Sequence, residues 1–447
     1  MSPPAASRRL RLSVVIPVRD GARALDEVLS SLERQTADCG EFEVIVVDDG
    51  SAEPAARVVE KHQQIDATCV RLKVGRGRAA ARNAGAERAT AARVLFLDGD
   101  SWALPSLVRR HLDFGARDKG RTTLLGRRLE LGWDRLRRVM EDGQIGEQAG
   151  EALPTHEDDL RYAYAHDVDI VDLRVHRAPW MCAYTHNMSV DRELFRSLGG
   201  FDESFVTWGH EDIELGYRLF LAHDRRGGFA YDREAVCVHL PHFRDFAGNW
   251  RKGERNLARI KRKHPFFDVE LLGSEVNGGI EHKIAHYESA LQQACLPGLG
   301  ASAANVSARI PALGGNRNVL WIGAELGLPD DQTRYDHALP ASATNLHLLG
   351  IDTPHDDASF EAVVNIDLWR QYTVPDLSLA IIEGLRIAPE LFLVQTAVPS
   401  GTDNPLLRRG AWDPTWIADS FGSSFPASVI HHDETATVIR FQSGHSA

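Results

Sequence analysis

Short apolar runs alternate with helix-period segments through the first hundred residues, and this alternation limits the chain to one broad architecture. Residues 12–18 (LSVVIPV), 42–47 (FEVIVV), 69–74 and 94–97 (VLFL) read as strands. Between them, residues 22–34 place Leu25, Val28, Leu29 and Leu32 at helical spacing; residues 54–62 read as a short helix and 79–92 as an alanine-rich one. Strand and helix alternating at these lengths imply an α/β fold with a parallel, doubly wound sheet. Ligands of such sheets sit beyond the carboxyl ends of the strands. Pro17-Val18-Arg19, Asp48-Asp49 and Asp98-Gly99-Asp100 all fall at those ends.

The last of these clusters is the most chemical. An Asp-x-Asp pair closing a buried strand sets two hard carboxylates beside one spot at the mouth of the sheet. Divalent cations such as Mg²⁺ and Mn²⁺ favour these ligands and share them with substrate phosphates. A strand capped by acidic turn residues gives the same pattern without a metal.

Bulk properties narrow the class. With 447 residues, 43% hydrophobic and 26% charged, the chain reads as two or three globular domains. Its 51 basic and 63 acidic residues leave a net charge of −12, which argues against nucleic acid as a partner. Five scattered cysteines with no C-x-x-C pair suit a reduced, cytoplasmic protein. The N-terminus leads straight into the first strand without a cleavage-site pattern, and no apolar stretch is long enough to span a membrane. Residues 115–180 are rich in charge and poor in period. A basic helix at 249–264 (NWRKGERNLARIKRKH) reads as a solvated face, or as a contact for phosphate or a membrane surface. The expected organisation is a catalytic domain at 1–295 with its basic helical segment at 249–270, a Gly/Pro/Ser-rich linker at 296–317, and a smaller α/β domain at 318–447.

Across the first 270 residues, SVVIPVRD, VIVVDDGS, GRGRAAARNAGAERA, FLDGD and GGFDESFVTWGHEDIELGYRL occur in order. This ordered set resembles the family 2 glycosyltransferases of the GT-A fold. The last block is similar to the C-terminal catalytic segment of polypeptide N-acetylgalactosaminyl- and galactosyltransferases. The resemblance implies a UDP-sugar donor, a hydroxyl acceptor and Mn²⁺ or Mg²⁺. It implies that Asp98 and Asp100 hold the metal, Asp100 most directly, and that a histidine completes the set: His239, with His242 as competitor. It places Pro17, Val18 and Arg19 at the nucleobase, Asp49 as acceptor from uracil N3–H, Gly99 in the donor loop, and Arg82 at the donor's phosphates or base. Asp212 is the implied base for an inverting displacement, with Glu211 as alternative; both also suit the acidic start of a helix. Trp180 and Trp208 are candidates to stack on sugars or to fill the core. The membrane-spanning bundle and QxxRW motif of processive synthases are missing from the sequence, which favours single-sugar transfer. A non-catalytic sugar-nucleotide-binding protein is the rival reading.

Residues 318–395 faintly resemble a class I methyltransferase, through WIGAELG and DDASFEAVVNIDLW. Glu325 stands where that family has a glycine that lets the cofactor approach the backbone. The stretch 327–357 reads as too short for the strand that carries the ribose-binding acid. A degenerate domain serving docking, stability or dimerisation is therefore expected, and a bifunctional glycosyltransferase–methyltransferase is the alternative.

Overall fold

The computed structural model describes residues 11–118, 121–130, 132–142, 170–243, 245–274, 279–295, 303–308, 310, 317–396 and 413–444. Of the expected linker at 296–317 only 303–308, 310 and 317 are described, and they include a short helix at Ala303–Ser307; much of the charged region at 115–180 lies outside the described residues. The chain divides into two compact units, Met1–Asn256 and Leu257–Ala447.

In the first unit, β1 (Leu12–Val18), α1 (Ala22–Glu33), β2 (Phe42–Asp48), α2 (Ala56–Val59), β3 (Ala67–Arg71), α3 (Arg78–Arg88) and β4 (Arg93–Leu97) follow the expected alternation. Their strands pair in parallel, in the order β3-β2-β1-β4. Leu12, Val14 and Ile16 of β1 and Val44 and Val46 of β2 pack on Leu25, Val28 and Leu29 of α1. The sheet then changes character. Beyond β4 come β8 (Asn187–Asp191), β6 (Thr123–Glu130), β9 (Phe229–His239) and β5 (Ser101–Ala103), with β7 (Ile170–Asp172) against β9. The β4–β8, β8–β6 and β9–β5 pairs are antiparallel, and β6–β9 is parallel. The helices α4 (Leu107–Arg117), α5 (Trp133–Asp142), α6 (Arg192–Ser197) and α7 (Glu211–Ala222) complete this part of the chain, and α8 (Phe246–Lys263) begins in it and ends past residue 256. The result is a mixed α/β sheet whose parallel half is the doubly wound part.

The second unit contains α9 (Phe267–Glu270), α10 (Ile280–Ala294) and α11 (Ala303–Ser307), ahead of a sheet of β10 (Val319–Gly323), β11 (Arg334–Asp336), β12 (Ala362–Ile366), β13 (Glu390–Thr396), β14 (Ala427–His432) and β15 (Ala436–Gln442). Its order is β11-β10-β12-β13-β15-β14, parallel through β13, with β15 antiparallel to both its neighbours. Helices α12 (Val374–Ile387) and α13 (Pro414–Gly422) flank it. Residues 267–294 group with this sheet, not with the first unit, because polar contacts tie them there. The Glu270 carboxylate accepts the backbone N–H groups of Leu349, Gly350, Ile351 and Asp352 at 2.6–3.1 Å. The Tyr287 hydroxyl donates to buried Asp376 at 2.6 Å. The stretch 327–357, read as too short for a strand that ends on an acid, does hold one: β11 pairs in parallel with β10 and ends on Asp336. Further along, Asn345 and His347 make only isolated bridges, to Arg334 and Phe266.

Candidate functional site

Strand register builds the centre of the site. Within β5–β9–β6, Ser101 lies opposite His239, and His239 lies opposite Glu130. The Leu240 N–H donates to the Asp100 carbonyl at 2.8 Å, fixing the turn before β5 against the end of β9. Asp100, His239 and Glu130 therefore stand in a row across three strand ends. The His239 Nδ1–H donates to Glu130 at 2.8 Å, which turns Nε2 toward Asp100, 3.6 Å away. His242 repeats the device: Nδ1–H donates to the Phe243 carbonyl at 2.8 Å, and Nε2 lies 3.2 Å from the Asp100 carboxylate. A carboxylate or carbonyl holding one ring nitrogen while the other faces a shared point is the arrangement of metal-ligating histidines. One donor atom from each of Asp100, His239 and His242 lies within 4.8 Å of the others. The two histidines, competitors in the sequence, thus stand together.

Electrostatics match the geometry. Burial opposes charge on Asp100, but hydrogen bonds and charge from the two histidines hold its carboxyl far below the usual range. Burial also works against the His239 imidazolium; Asp100 and Glu130 outweigh it and raise the pKa. For His242 the hydrogen bond to Asp100 leads, in the same direction.

Asp98 goes elsewhere. Arg82, on α3, donates to Asp98 at 2.8 Å and to Glu211 at 2.9 Å. The Arg82 side chain is only 2% exposed, and the paired carboxylates hold it charged against the cost of burial. Arg82 therefore bridges the β4 terminus and α7 instead of opening toward a ligand. Its Nε and the Glu211 Oε2 are buried and, among the described residues, find no hydrogen-bond partner.

Gly209 (φ +101°) and His210 (φ +68°) turn the chain into α7, so that Glu211 and Asp212 occupy its first turn. The Asp212 carboxyl keeps some exposed surface, but its surroundings are protein and acid. Burial first, then Glu211, push its pKa up to about 7 against the pull of Arg82. Behind α7 a Cβ on Gly216 would come within 2.6 Å of Ala183 Cβ and the Trp180 carbonyl, so the helix packs closely on the Trp180 turn. Trp180 is 0% exposed and edge-on to Tyr217 at 4.9 Å. An indole with no open face cannot stack on a sugar here; Trp180 is a support of α7. Trp208 is 45% exposed, in the loop that leads to Asp212. The Asn256 amide of α8 holds this loop by donating to the carbonyls of Thr207, Trp208 and Gly209.

A cleft of about 340 Å³ opens at the carboxyl ends of β1, β2 and β4. Pro17, Val18, Arg19, Asp49, Asp98, Gly99, Asp100 and His242 line it, with Arg78 and Ala81 of α3. Gly99 permits this closure, since a Cβ there would lie 3.0 Å from the Pro17 carbonyl oxygen. Asp49 accepts N–H groups of Arg76 and Gly77 at 2.7 and 2.9 Å, tying the entry of α3 to the wall. Asp48 is fully buried, takes the N–H groups of Ser51 and Ala55 and pairs with Arg71. Sequence reasoning missed Arg78, Glu130 and Asn83. Arg78 lay visible in GRGR, and Asn83 beside Arg82; the Asn83 side chain grips the backbone of Phe201 at both N and O.

Known proteins that resemble this chain include glycosyltransferases. Residues 13–140 match the family described as Glycosyl transferase family 2, and residues 177–236 match "N-terminal domain of galactosyltransferase". Validoxylamine A glucosyltransferase of Streptomyces hygroscopicus subsp. jinggangensis (strain 5008) is 31% identical over 398 residues, covering 81% of this chain and 92% of that one. Chondroitin synthase of Pasteurella multocida (strain Pm70) is 30% identical over 244 residues, 51% of this chain and 25% of its own. The solved structure of S. aureus TarS 1-349 in complex with UDP-GlcNAc aligns at TM-score 0.44 and 17% identity, over 62% of this chain and 71% of that one. With a relative at this identity matched over nearly its whole length, the chain belongs to the family 2 glycosyltransferases and is a glycosyltransferase enzyme.

Proposed function

We propose that the protein is a metal-dependent, inverting glycosyltransferase that moves one sugar from a UDP-sugar to a hydroxyl of a small, polyhydroxylated ring. The observation that carries the metal-dependent reading is the convergence of Asp100, His239 and His242 at the lip of a cleft walled by Asp49 and the end of β1. One carboxylate and two imidazole nitrogens fit a first-row divalent ion such as Mn²⁺ better than Mg²⁺. A divalent ion held by these residues would supply Lewis-acid neutralisation of the departing diphosphate.

The protein's own groups perform the remaining work. Asp49 and the Pro17–Arg19 backbone take the base. Asp212 receives the proton of the acceptor hydroxyl as its oxygen bonds to the anomeric carbon and the bond from that carbon to the diphosphate oxygen breaks. One displacement inverts the configuration. Burial beside Glu211 gives Asp212 the basicity this step needs near neutral pH. Trp208 offers an open aromatic face next to that proton acceptor. A small cyclitol-like acceptor and a glucosyl donor are supported by the name of the validoxylamine A relative.

The second unit is read as a degenerate methyltransferase-like domain. Glu325 holds the loop after β10 at φ +53°, and fully buried Asp336 accepts the N–H groups of Glu325, Leu326 and Ala338. The acid that would face a cofactor is closed on its own loop, and S-adenosylmethionine does not fit these residues.

The test is release of UDP from a panel of UDP-sugars, with Mn²⁺ and a cyclitol or sugar acceptor. Transfer that requires Mn²⁺ is expected. A protein that binds UDP but releases none with any donor is a binding protein, and the reading fails.

A further inference from the structure

We infer that Arg78 is the side chain that binds the donor's diphosphate, the task expected of Arg82. The inference rests on the reading of the cleft as a UDP-sugar site and names a residue of it.

A diphosphate entering this cleft meets the acids Asp20, Asp49, Asp98 and Asp100 on its wall. A cation must face it. Arg82 is not available: it is buried, and its two Nη groups already hold Asp98 and Glu211. Turning it toward a phosphate would leave the buried Glu211 carboxyl without its ion-pair partner. The arginines on the cleft wall are Arg19 and Arg78. Arg19 stands at the base end, its guanidinium against Gly75, with Nε 3.9 Å from Asp20. The Arg78 side chain is exposed and, among the described residues, makes no ion pair or hydrogen bond. It can take up phosphate oxygens without breaking a native contact.

Its place on α3 points the same way. Residues four apart lie on one helix face, about 6 Å from each other. Arg78, Ala81 and Arg82 share such a face. Ala81 lines the cleft, and Arg82 meets the cleft residue Asp98 from behind. Arg78 thus stands one turn beyond the Arg82–Asp98 pair, toward the helix start. A guanidinium fork there matches the paired oxygens of a diphosphate.

The experiment is calorimetric binding of UDP, UMP and uridine, each with Mn²⁺, to the full-length protein and to its Arg78→Gln and Arg78→Lys variants. Arg78→Gln should weaken UDP by about tenfold or more, weaken UMP less, and leave uridine unchanged; Arg78→Lys should recover part of the loss. Because Arg78 is exposed and unpartnered, the thermal midpoint without ligand should not move. Equal affinity for UDP in wild type and Arg78→Gln overturns the assignment, as does an equal loss for uridine. Failure of the wild-type protein to bind UDP is a different result: it overturns the nucleotide reading itself.

Discussion

Asp212 has the most at stake among single residues. Its pKa of about 7 means that the base form is lost as pH falls through neutrality. Transfer should therefore rise from pH 5 to pH 8 along one protonation limb, measured as kcat/KM. A limb centred near pH 4 would show that Asp212 is an ordinary carboxylate. Asp212→Asn should cut turnover by about 10²-fold or more while UDP still binds; full activity in that variant removes the residue from the chemistry. Arg82 has a different task. Arg82→Met leaves buried Glu211 without its partner and should cost about 3 kcal/mol of stability, seen as a lower urea midpoint. Adding Glu211→Gln should restore part of it. A single Arg82→Met variant as stable as wild type would mean that the bridge between β4 and α7 is idle.

The elements show why part of this was readable in the sequence and part was not. Strands β1, β2 and β4 are mainly apolar runs, β2 and β4 closed by Asp48-Asp49 and Asp98, so the residues at their ends could be named. The antiparallel half could not. β9 carries Asp232-Arg233-Glu234 in its middle, at a register shift against β6 that interrupts its period. Glu130 sits on a strand inside a charged stretch without a clear pattern. Arg82 was visible as an arginine in a helix, but its partners lie 16 and 129 positions away, and no periodicity says which way a guanidinium turns. The same applies to Trp180, whose burial depends on α7 packing over it. The placement of α3 rests on Gly85: a Cβ there would come within 2.3 Å of Val15 Cγ1 and 3.0 Å of Val47 Cγ2. Gly85→Ala gains helix propensity of up to about 1 kcal/mol but overpacks a β-branched wall, so a net loss of about 1–2 kcal/mol is expected. A stabilised variant would show that α3 can shift freely on the sheet. On α8, Trp250 is 73% exposed, one turn before Gly253, where a Cβ would be 3.6 Å from the Trp208 ring. Trp250→Ala should raise the acceptor KM and leave UDP affinity unchanged. An unchanged acceptor KM would remove Trp250 from the acceptor site.

At the scale of the whole molecule, each unit has its own sheet, and they differ in what their strand ends do. In the first unit the strand-end acids line an open cleft. In the second, Asp336 and Asp367 are bound to their own loops, Asp367 accepting from Thr396 and Arg370. Among the described residues no helix is long and apolar enough to cross a membrane. The central claim is that the Asp100 centre binds a divalent ion and, through it, the nucleotide. The most direct measurement is the thermal midpoint of the wild-type protein and Asp100→Ala with UDP, in Mn²⁺ and in EDTA, since a ligand specific to the folded state raises the midpoint. The account predicts a UDP shift in wild type that needs Mn²⁺ and is lost in Asp100→Ala. An equal UDP shift in EDTA, or in the variant, contradicts it.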